Sequence, residues 1–127
     1  MHEKYFYEYA VIRVLPKVER EEFINVGILL FCKQQKFLVV KYHFPQEKLA
    51  LFHTELNGDQ VEENLLSFQK IAQGAKTGGR IGEFDITSRF RWLTAVRSSC
   101  IQTSRPRSGF SSNLEDTLQH LYKDLVL

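Results

Sequence analysis

Arginine is the residue type whose placement in this sequence could do chemistry. Residues 1–79 carry eight Lys and two Arg, whereas Arg80, Arg89, Arg91, Arg97, Arg105 and Arg107 then follow with no Lys among them. A guanidinium is a planar fork suited to carboxylate, phosphate and stacking, while an ammonium is a hydrated point charge. By segment, residues 1–75 hold nine cations and ten anions (net −1), residues 76–107 seven and two (+5), and residues 108–127 one and three (−2). The overall charge of +2 therefore conceals a cationic stretch between two acidic ones. Arg89, Arg91 and Arg97 flank Trp92, so cation and π contacts can share one patch.

Three uses of such a cluster stay open. The arginines can pair with Glu19, Glu21, Glu22 and the Glu62–Glu63 helix face of the same chain. They can hold phosphate, a nucleotide or nucleic acid. They can dock an acidic partner protein, since interface centres favour Arg, Trp and Tyr. The candidate contact residues are Arg89, Arg91, Trp92, Arg97, Arg105 and Arg107, joined by Asn25 if it converges on the same pocket.

Other chemistry lacks its pattern. His43, His53, His120, Cys32 and Cys100 are scattered without the paired spacing of metal ligands, so neither metal nor cofactor is implied. Cys32 sits in the most apolar segment, where a thiol is buried and inert, and nothing near Cys100 in sequence marks it as activated except the neighbouring arginines. Gly74, Gly78, Gly79 and Gly82 suggest a phosphate loop but miss both standard spacings: Ala75 precedes Lys76-Thr77, and position 77 is Thr. They read as a flexible connection.

The elements that must position these residues follow from periodicity. Tyr5–Leu15 is a strand apolar on both faces, interrupted by Glu8 and Arg13, and so an interior strand. Val26–Lys33 and Phe37–Phe44 read as a hairpin around Gln34-Gln35, without the Asn-Gly signature of a two-residue turn. Gln46–His53 suggests a short helix. Asp59 with Glu62 resembles a capping box for a helix with Val61, Leu65, Phe68 and Ala72 on one stripe, ended by Gly74. A second helix is expected over Ile86–Ala95, a strand over Ser99–Thr103 and a loop over Ser104–Ser112. A capping box at Ser112 and Glu115 then opens a helix with Leu114, Leu118, Leu121 and Leu125 in register. The expectation is an α+β fold, a mainly antiparallel sheet of about four strands with helices packed on one face.

A chain of 127 residues suits one domain, 1–127, and its 43% hydrophobic content with ten Phe excludes a disordered or collagen-like chain. The uncharged run Phe23–Cys32 is half of what a membrane span needs, and Met1–Lys4 carries both charge signs with no apolar leader behind it. These features point to a cytoplasmic protein with free thiols that makes no membrane contact.

Three stretches carry a family resemblance. They are Tyr7-Glu8-Tyr9-Ala10-Val11-Ile12-Arg13-Val14, Glu19-Arg20-Glu21-Glu22-Phe23-Ile24-Asn25-Val26-Gly27, and Arg89-Phe90-Arg91-Trp92-Leu93-Thr94-Ala95 with Arg97-Ser98. Their order and spacing resemble the bacterial family known as domain of unknown function 3037. Val96 departs from the pattern, which has Pro before the Arg-Ser pair. The resemblance implies a small stand-alone protein without an assigned activity, accompanying a HipA-like kinase as a partner or accessory. By residue type, Asn25 and Gly27 suit the positive φ of a tight turn or bulge at the start of the second strand, and Trp92 suits a core. The sequence thus favours a binding or accessory protein over an enzyme; the alternative is a phosphate, nucleotide or nucleic-acid binder, or an enzyme, working through the arginines.

Overall fold

β-branched and aromatic residues dominate Tyr5–Val14, and this segment forms the central strand, β1. The computed structural model describes residues 3–16, 22–48, 56–74, 78–95 and 100–127. Strand β2, Ile24–Cys32, lies antiparallel to β1, and β3, Phe37–Tyr42, lies antiparallel to β2. Their connection is longer than two residues, so no Asn-Gly is needed. It runs through Lys33–Lys36, with Lys36 in the left-handed region at φ 51° and its N–H donating to the Lys33 carbonyl at 3.1 Å.

Strand β4, Ile101–Thr103, and strand β5, Arg107–Ser111, both pair antiparallel with β1 on its other side. The order is β3-β2-β1-β4, with β5 continuing beside the first half of β1. This corrects the loop expected over Ser104–Ser112. Only Ser104–Pro106 leaves the ladder, and the sheet has five strands rather than about four. Arg, Ser and Gly are poor strand formers alone, and pairing with β1 overrides that preference. At the interruption, the Ser104 N–H donates to the Val11 carbonyl (2.8 Å) and the Val11 N–H to Ser104 Oγ (2.9 Å), so both buried polar groups of Val11 stay satisfied.

Helices α1 (Gly58–Gln73), α2 (Gly79–Gly82), α3 (Ile86–Thr94) and α4 (Leu114–Leu125) cover the sheet on both faces, not one. Ile12, Val14, Leu29, Phe31 and Val40 meet Val61, Leu65 and Phe68 of α1 and Phe90 and Leu93 of α3. On the opposite face, Val11, Ile28 and Leu30 meet Leu118 and Tyr122 of α4. A strand apolar on both sides requires this second cover.

Helix starts differ from the expected capping boxes. Asn57 caps α1, its Oδ1 accepting from the N–H groups of Asp59 (2.9 Å) and Gln60 (3.3 Å), and Asn113 caps α4, accepting from Asp116 N–H at 3.1 Å. Asn satisfies the orphan donors of a first turn as well as Asp or Ser does. Replacing Asn57 by Ala is expected to cost about 1 kcal/mol in urea denaturation. Gly74 ends α1 in the left-handed conformation, φ 74°. The helix expected over Gln46–His53 begins as a 3-10 turn at Gln46–Lys48, and its remainder lies outside the described residues. No helix among the described residues is long and apolar enough to cross a membrane.

A bulge sets the register that matters for the site. Ile12 lies opposite Gly27 but Arg13 lies opposite Asn25, so Val26 is the extra residue. The positive φ expected at Asn25 and Gly27 is absent, since among the described residues only Lys36, Gly74 and Gly79 adopt one. Gly27 answers to space instead: a Cβ there would stand 2.7 Å from the Lys41 carbonyl oxygen and 2.9 Å from Tyr42 Cβ.

Candidate functional site

Helix α3 begins at Asp85, whose carboxylate accepts the Ser88 N–H at 2.7 Å. That bond, with the Ser88 hydroxyl and the nearby Arg91 and Arg89 charges, holds the Asp85 carboxyl below the ordinary aspartate range. Phe90 faces inward and stacks on Phe31, ring centroids 4.5 Å apart and planes 22° from parallel. With Phe90 fixed, Thr87 and Arg91, four residues apart, share one flank of the helix.

The sheet supplies the opposite wall. Alternation along β1 puts Phe6 and Glu8 on the α3 side, and Lys33 and Gln34 follow where β2 ends. Between them and α3 lies an open cleft of about 620 Å³, lined by Phe6, Glu8, Phe31, Lys33, Gln34, Thr87 and Arg91. Phe6 is 49% exposed and meets Phe110 of β5, itself 68% exposed, edge to face at 5.6 Å. A solvent-facing aromatic pair thus stands beside a cleft with both charge signs on its walls.

A smaller cleft of about 350 Å³ lies at the start of α4, between Tyr7, Ser111, Asp116, Thr117 and His120. Much of its hydrogen-bonding capacity is taken up in starting the helix. The Ser111 and Thr117 hydroxyls are 2.6 Å apart, and Asn113 N–H donates to Ser111 Oγ at 3.0 Å.

The arginines do not gather in one place. Arg89 turns inward: its Nη1 donates to the Ile71 (3.1 Å) and Ala72 (2.7 Å) carbonyls at the end of α1, and its Nε to the Phe84 carbonyl (3.0 Å). Its anchors are therefore backbone oxygens rather than carboxylates. Arg91 stands exposed on the cleft wall, and Trp92 is half-buried against the larger core. Arg105 and Arg107 are exposed on the β4–β5 margin, and their guanidinium groups make no hydrogen bond or ion pair with the described residues. Arg107 is opposite Tyr9 and so shares the α4 face, away from Arg91. Arg97, with Glu19 and Glu21, lies outside the described residues.

Asn25 belongs to the α4 face, where its Nδ2 donates to the Leu125 carbonyl at 3.1 Å. Opposite it, the Arg13 guanidinium lies over the Phe23 ring at 4.2 Å, and both Asn25 Oδ1 and Arg13 Nε are buried without a hydrogen-bond partner among the described residues. Asn25 is therefore on the opposite face of the sheet from Arg89. Burial pushes the Cys100 thiol up, away from the reactive thiolate, and Cys32 is fully buried. Among the described residues no three His, Cys, Asp or Glu side chains are grouped to hold a metal ion.

Phe6, Glu8, Lys33, Thr87 and Phe110 had not been singled out from the sequence. The period-two alternation of β1 places Phe6 and Glu8 together, but Phe110 becomes visible only when β5 is a strand. Comparison with curated proteins and with solved structures gives no match. The model of a protein family of unknown function, DUF3037, matches residues 9–126. That span includes all three stretches that carried the resemblance apart from Tyr7 and Glu8, and the chain belongs to the DUF3037 family.

Proposed function

We propose that this chain is a binding or accessory protein that receives a partner protein in the cleft between α3 and the β1–β2 end. One observation carries the reading: the exposed Phe6–Phe110 pair adjoins a cleft with Lys33 and Arg91 on its walls. Desolvating two aromatic rings supplies affinity, and the flanking charges supply orientation. The family resemblance points to a HipA-like kinase as that partner, and the composition to a cytoplasmic setting.

The test is binding of the purified chain to a HipA-like kinase. Phe6→Ser combined with Arg91→Glu is expected to weaken binding at least tenfold, about 1.4 kcal/mol, while the melting temperature stays close to the parent's. Unchanged binding by this variant overturns the reading. Absence of kinase binding, together with nucleotide or RNA binding that falls as salt rises, replaces it with the anion-binding alternative.

A further inference from the structure

The two margins of the sheet are treated differently. At the β3 margin, α1 reaches over the edge and Gln69 Nε2 donates to the Val40 carbonyl at 3.3 Å. At the other, β5 pairs only with β1, and no described residue bonds its outward backbone groups. An uncovered edge offers a row of donors and acceptors to any extended chain. Register fixes what such a chain would meet on each side. Phe110 and Ser108, opposite Phe6 and Glu8, are on the α3 face; Arg107, opposite Tyr9, is on the α4 face, and Arg105 precedes it in the interruption.

We propose that the outer edge of β5 takes an extended acidic segment of a partner protein as a sixth strand. Its apolar residues lie on Phe110, and its alternate, acidic residues on Arg107 and Arg105. This rests on the reading of the chain as a binding protein and names the chemistry of the bound segment. Charge selects this occupant over a second copy of the chain. An antiparallel ribbon of two β5 strands would set each Arg107 opposite the other copy's Ser111 and bring no acidic side chain to the arginines, because β5 has none. An acidic strand meets the same cations with opposite sign. Pro106 and the interruption at Ser104–Pro106 shorten the edge that is offered, which restricts indiscriminate pairing.

The test pans a random peptide library displayed on phage against the purified chain at moderate salt. Enriched peptides are expected to carry Asp or Glu at alternate positions with aliphatic or aromatic residues between them. Against the Arg105→Glu, Arg107→Glu double variant, confirmed folded by its melting curve, the preference is expected to reverse to Lys and Arg. Adding an enriched peptide to the parent chain is expected to slow amide exchange in residues 107–111 at least tenfold. Three results overturn the proposal: no enrichment or no acidic excess, an acidic excess that survives charge reversal, or unchanged exchange in β5. Self-association of the parent that protects the same amides gives the edge to a second copy and also overturns it. Kinase binding lost with Phe6→Ser and Arg91→Glu but retained by the charge-reversed edge removes this proposal and leaves the cleft reading standing. Binding retained by both variants removes both.

Discussion

Replacing Arg89 with alanine is expected to lower the stability of the fold by about 2 kcal/mol, because it strips a charged donor from the carbonyls of Ile71, Ala72 and Phe84. At this chain length the melting temperature should fall by roughly 6–10 °C. The arrangement places a cation at the C-terminal end of α1, where the helix dipole and unsatisfied carbonyls favour one. Gly74 makes room for it, since a Cβ there would stand 2.6 Å from Arg89 Nη1. Arg89→Lys should recover less than half of the loss, because one ammonium cannot reproduce the spread of the fork. Urea denaturation of the two variants measures this. An Arg89→Ala protein as stable as the parent would show that the guanidinium does not hold α1 to α3.

Gly27→Ala is expected to destabilise by about 2–3 kcal/mol, a large effect for one methyl group. The added carbon would meet the Lys41 carbonyl oxygen at 2.7 Å and Tyr42 Cβ at 2.9 Å, so relief requires β2 and β3 to move apart. Gly27 lies beside the bulge at Val26, and the displacement would reach Asn25 and its bond to Leu125. Thermal denaturation checks the magnitude. Loss of the Asn25–Leu125 bond would appear as faster amide exchange in the last turn of α4 than in α1. Alanine tolerated at parental stability would mean that the two strands part at little cost.

Elements whose signal is local were legible in the sequence. The stripe Val61, Leu65, Phe68, Ala72 gave α1 and the stripe Leu114, Leu118 gave α4, because burial repeats at the helical period regardless of what lies opposite. Strand β5 was not legible: Arg107–Ser111 is a strand only because β1 lies beside it, and that partner is remote in the chain. The site shows the same division. A run of arginines is visible in one dimension, but what a guanidinium faces is not. Arg89 is held by backbone carbonyls, which every residue carries and no sequence pattern marks. Phe6 read as one apolar residue of the first strand and Phe110 fell in the expected loop, so neither was marked as an exposed ring.

The pairing of β1 with residues 101–111 also governs the order in which the molecule is completed. Tyr5 lies opposite Ser111, so the central strand leaves a ribosome well before its neighbour does. Until the late segment arrives, a nascent β1–β2–β3 meander has the outer flank of β1 bare, a state prone to pairing with other chains. Closure over so long a loop is slow compared with hairpin formation, which adds an aggregation hazard during synthesis.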